Sequence, residues 1–153
     1  MTPSLRLFED AWSRPRTYVE KVPGIRNPRL TVTPERAAGR ATVRVTCDIW
    51  FTEFEVNAMN RLGLRYLLAC QLVNRYFFYD RSVVTFLRQE FPRTAMPAVQ
   101  QEHAVFETLA PLRDLHLFVS GDDTFVAELT LTNQETGGEV GARSHPVAVD
   151  LAA

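Results

Sequence analysis

The stretch CDIWFTEFEV, Cys47 to Val56, sets a thiol, three carboxylates and three aromatic rings within ten residues. The chemistry it offers is that of a carboxylate pair. On a strand, Glu53 and Glu55 share one face about 7 Å apart, from a rise of roughly 3.3 Å per residue. Two carboxylates at such a separation flank a glycosidic bond in many hydrolases. Acid catalysis needs one of them desolvated, and nothing local does that, so both are read as solvent-facing charge. The stretch also changes phase. Val43, Val45, Cys47, Ile49 and Phe51 take odd positions, whereas Phe54 and Val56 are even. A β-bulge or break near Trp50 to Thr52 is expected to restore the alignment, with Trp50 packed at the switch.

Other constellations carry little chemistry. Cys47 and Cys70 stand 23 residues apart, outside any C-x-x-C pair, and read as small buried hydrophobes. His103, His116 and His145 have no partner at metal-binding spacing. Asp80, Asp114, Asp122 and Asp123 fall in expected loops and are weak candidates for Ca²⁺, which takes oxygen ligands. No G-x-S-x-G elbow or phosphate-binding glycine loop occurs. The expectation is therefore no enzyme, no cofactor and no committed metal site.

The run Arg75-Tyr76-Phe77-Phe78-Tyr79-Asp80-Arg81 is the strongest lead. Four consecutive aromatics on a strand point alternately to both faces, so two of them leave the core. Either another segment covers them or they form a protein contact surface, where Tyr, Phe and Arg are enriched. Trp12, Trp50, Arg75, Tyr76, Phe77, Phe78 and Tyr79 are the expected interface residues.

The elements that must position these residues are mostly strands. Residues 1–40 hold five of the nine prolines and a charge of +4, against −5 for residues 41–153. Leu5, Phe8 and Trp12 are helically spaced, so 1–40 reads as a Pro-rich arm with a short helix, lying on its own domain or on a neighbour. From Ala41 onward the period is two. Rows such as Leu62 to Leu72 and Phe125 to Leu131 predict strands. The expected fold of 41–153 is mainly β: one antiparallel β-sandwich of seven or eight strands, with a closed barrel as runner-up.

At 153 residues, 46% hydrophobic and net charge −1, the chain has no basic surplus for nucleic acid and no apolar run long enough for membrane insertion. The first residues lack the apolar core of a secretory signal, so the cytoplasm is the default compartment, with export by a dedicated machine left open. Sixteen of the 17 basic residues are arginine, which fits a GC-rich codon bias. The functional expectation is a non-enzymatic protein-binding module, a structural subunit that associates with itself or within a larger complex. The alternative is a calcium-dependent, C2-like module that binds a ligand or a membrane surface.

Overall fold

The computed structural model describes residues 23–76, 79–93, 97–116 and 121–151. They form nine strands: β1 (Gly24–Glu35), β2 (Arg40–Trp50), β3 (Tyr66–Tyr76), β4 (Tyr79–Thr85), β5 (Gln89–Phe91), β6 (Gln101–Pro111), β7 (Asp123–Asn133), β8 (Glu139–Arg143) and β9 (Val147–Val149). The helices are α1 (Glu53–Leu62) and the single turn α2 (Leu112–Leu115), with a 3₁₀ turn at Arg36–Ala38.

Two antiparallel sheets face each other, and neither closes into a barrel. The first has the order β1-β2-β6 and the second β4-β3-β7-β8; β5 also pairs with β3, and β9 with β7. The period-two rows explain the layering, since each sheet buries one side of its strands. Ala41, Val43, Val45, Cys47 and Ile49 from β2 meet Leu68, Cys70 and Leu72 from β3 and Phe125, Ala127, Leu129 and Leu131 from β7 in one cluster. Phe51 ties one end of this core together, its ring 5.1 Å from Tyr66 and 6.4 Å from Phe91. Each fully buried side chain of this size contributes about 1.5–3 kcal/mol. Replacing Leu68 with Ala would therefore cost about 2–5 kcal/mol, cavity included.

Cys47 and Cys70 lie on opposite sheets, buried and unpaired. Burial pushes both thiols up to about 12; Asp48 adds to the effect at Cys47, and Cys47 at Cys70.

Two local expectations are corrected. The strand breaks at Trp50, within the expected Trp50 to Thr52, but it does not resume through Glu53 and Glu55 as a realigned strand; α1 begins at Glu53. The cause is a capping box. Glu55 N–H donates to the Thr52 hydroxyl at 3.2 Å, while Thr52 N–H donates to the Glu55 carboxylate at 2.8 Å. Two otherwise orphaned helix donors are thus satisfied, and both glutamates sit favourably at the positive end of the helix dipole. Nor does the next strand begin at Leu62. That residue ends α1, and Gly63 closes the helix in the left-handed region at φ 76°, a conformation other residues rarely adopt.

The second part of the expected arm is β1, which pairs with β2 from Gly24 opposite Trp50 to Glu35 opposite Arg40. The expected N-terminal helix and Trp12 lie outside the described residues.

Candidate functional site

The most chemically loaded place is the end of the sandwich where β3 finishes and β7 starts. Asn74 occupies the inward phase of β3, after Leu68, Cys70 and Leu72, and is fully buried. Its amide nitrogen donates to the Leu115 carbonyl at 2.9 Å and to Asp123 Oδ1 at 3.0 Å. Asp123 opens β7, also fully buried, and its other oxygen lies 2.5 Å from His116 Nδ1. The turn α2 sets His116 there: Leu115 is buried, and His116 N–H donates to the Leu112 carbonyl.

An ionised carboxylate at Nδ1 accepts that nitrogen's proton and turns Nε2 away from Asp123. An aspartate orients a histidine in this way in Ser-His-Asp triads. Among the described residues, no hydroxyl or thiol bonds to Nε2. What the cluster visibly does is join three elements, β3, α2 and β7, through polar contacts inside the core. Asn74 Oδ1 is buried and has no hydrogen-bond partner among the described residues.

A second network sits at the opposite end. Tyr66 OH donates to Glu55 Oε2 at 2.8 Å, and the Asn133 amide approaches the same hydroxyl at 3.5 Å. Burial first, and then the bond to Glu55, raise the Tyr66 pKa, so the phenol stays protonated. Glu55 is thereby committed to the cap and to Tyr66, while Glu53 is exposed on the helix. Two positions apart on a helix, the two carboxylates diverge by about 200° and do not form a pair.

The outer face of the second sheet carries a hollow of about 690 Å³. Its floor is the cross-strand row Ala69, Thr130 and Gly141, with Gln71, Glu128 and Arg143 as the next row. Glu128 accepts from both Gln71 and Arg143.

The expected interface residues are dispersed. Phe77 and Phe78 lie outside the described residues; Tyr76 ends β3 opposite Tyr79, which opens β4. Arg75 is exposed beside them. Trp50 is at the far end of β2, half-buried, with the Arg26 guanidinium 5.2 Å from its ring centre. On the same face His103 Nδ1 lies 2.9 Å from Asp48 Oδ1; this bond first, and Asn27 second, lower the Asp48 pKa.

The calcium candidates do not converge. Asp80 faces Arg143, Asp114 faces Arg113, Asp122 is exposed and Asp123 is bound inside the core. Among the described residues, no three His, Cys, Asp or Glu side chains are grouped to hold a metal ion. No described helix is long and apolar enough to cross a membrane.

Sequence reading missed where large apolar side chains meet water. Phe54 and Leu62 on α1 are 79% and 80% exposed, and Val99 lies in the loop that Asn60 of α1 holds. Leu87, 91% exposed, stands with Val105 and Leu109 along β6. Phe54 and Leu62 belong to a helix where a strand pattern was expected, and Val105 and Leu109 take the outward phase of β6, whose alternate positions Ala104, Phe106 and Ala110 are buried. Compared with known protein families and with curated protein sequences, the chain matches none.

Proposed function

We propose that the protein is a non-enzymatic β-sandwich that binds protein, acting as a structural subunit of a homo- or hetero-oligomeric assembly. The observation that carries this reading is the grouping of its exposed apolar side chains. Among the described residues, the six large ones fall at two places, on and beside α1 and along β6. Single exposed hydrophobics are ordinary, but grouped ones mark contact surfaces. The buried polar clusters support the same reading, since their groups are spent on joining elements.

Sedimentation of the full chain across a wide concentration range tests it. A mass that is a multiple of the monomer is expected, falling to the monomer when the apolar side chains at both places, Phe54, Leu62, Leu87, Val105 and Leu109, are replaced by Ser. A monomer at every concentration overturns the homo-oligomeric form of the reading.

A further inference from the structure

The strand edges of this sandwich are guarded unequally. In an antiparallel ladder, alternate residues turn both backbone groups toward the same side. The carbonyls of His103 and Val105 in β6 accept side-chain N–H groups from Arg93 at 2.9 Å and Gln89 at 2.8 Å. Odd-numbered β6 residues therefore turn away from β2, toward the open edge. The opposite edge, β1, carries Pro28 and Pro34 and a register shift at Asn27, whose φ is 52°. Edge β4 has a register shift against β3 and shows Asp80 and Arg81 to solvent. Strands β5, β8 and β9 are three, five and three residues long. Prolines, bulges, charges and shortness are the usual devices that stop edges from pairing.

From Val105 to Leu109, β6 has no proline and no register shift. The N–H and C=O of Glu107 and the N–H of Leu109 face outward, with no partner among the described residues; the Leu109 carbonyl has only the Thr108 hydroxyl, at 3.5 Å. Three of the six exposed large hydrophobics among the described residues, Leu87, Val105 and Leu109, border this stretch. Leu87 and Val105 also line a cleft of about 290 Å³ beside it.

We propose that residues 105–109 pair antiparallel with the same residues of a second copy, about a two-fold axis at Glu107. The proposal rests on the assembly reading and names one contact of that assembly. The boundaries set the register: Pro111 has no N–H to offer on one side, and the Arg93 side chain occupies the His103 carbonyl on the other. The midpoint of the free stretch is Glu107.

In that register Val105 meets Leu109 of the second copy, and the symmetry repeats the contact. Glu107 meets its own copy, but Arg44 lies 2.9 Å from it. The charges across the joint run Arg–Glu–Glu–Arg and cancel. Six main-chain hydrogen bonds close the pair, the Val105 carbonyl using its second lone pair beside Gln89. Two three-stranded sheets become one of six strands. An isologous joint of this kind needs a surface that complements itself, which the apolar ends and neutral centre provide.

Sedimentation of the full chain from roughly 1 μM to 1 mM, a range of affinities common for weak dimers, tests the pairing with two variants. Glu107→Pro removes an outward N–H and leaves the ladder to β2 intact. Leu109→Lys removes both apolar contacts without touching the backbone. The wild-type chain is expected to dimerise. Each variant is expected to weaken dimerisation more than tenfold while keeping its far-ultraviolet circular dichroism and cooperative unfolding. If Glu107→Pro fails to fold, Leu109→Lys decides. An oligomer that the folded variants retain overturns this joint and leaves the assembly reading standing. A wild-type monomer at every concentration overturns both the joint and self-assembly.

Discussion

Asn74 sits where the alternation of β3 calls for a leucine, and the fold answers it with Asp123 and the Leu115 carbonyl. Removing a donor from a buried carboxylate costs more than the bond itself, because the remaining charge loses part of its solvation. Asn74→Ala is therefore expected to lower unfolding free energy by about 3 kcal/mol in urea titrations. Asn74→Asp keeps the shape but sets a second carboxylate beside Asp123. It should cost more at neutral pH than in acid, where the two carboxylates share a proton. The same commitment of Asp123 predicts no thermal shift with millimolar Ca²⁺; a rise of several degrees would reopen the calcium reading. The buried thiols make a further prediction. Cys47 and Cys70 hold their protons up to about 12, against an ordinary 9.0, so the folded state binds more protons than the unfolded one in between. Their contribution is complete below 9.0 and is lost as pH rises toward 12. Native protein should resist alkylation at pH ~8 and react at both thiols once unfolded.

At the scale of elements, the start of α1 is where local chemistry overrode a hydrophobic pattern. Phe54 and Val56 alternate with Glu53 and Glu55 as a strand would, yet Thr52-x-x-Glu55 is a capping box, and the box decides. Thr52→Ala is expected to cost about 1 kcal/mol. Glu55→Ala should cost more, because it also strips Tyr66 OH of its acceptor. Chemical denaturation compares the two, and faster amide exchange confined to α1 locates the effect. The core strands were legible because a sheet buried on one face writes a period of two into its sequence, as β2 and β7 do. The helix signal was present in TEFE but was outweighed by that period. The cluster of Asn74, His116 and Asp123 was illegible for a different reason. Its members are up to 49 residues apart and meet only through the register of β3 with β7. The unguarded part of β6 depends likewise on strand order, since Val105 and Leu109 look like any alternating pair until β6 proves to be an edge.

At the scale of the whole molecule, the described strands bury one shared core, and Leu30 of β1 belongs to it. A chain lacking residues 1–22 retains every described strand, and a chain lacking 1–30 loses Gly24 to Leu30, more than half of β1. The first is expected to unfold cooperatively, and the second to lose several kcal/mol, of the order of an edge strand's apolar burial; calorimetry separates them. The two side chains that cap β6 carry a wider implication. Gln89 belongs to β5 and Arg93 follows it, so part of the second sheet holds shut the open edge of the first. Loosening that corner frees backbone as well as weakening the sandwich. Replacing both residues with Ala would extend the bare edge from five residues to nine, back to Gln101, and unlink its register from Glu107. A joint that had one two-fold solution would then have several, including staggered ones that never close. Slow polymerisation at temperatures where the native fold still persists is the expected pathology, seen as a lag phase in light scattering that seeding abolishes.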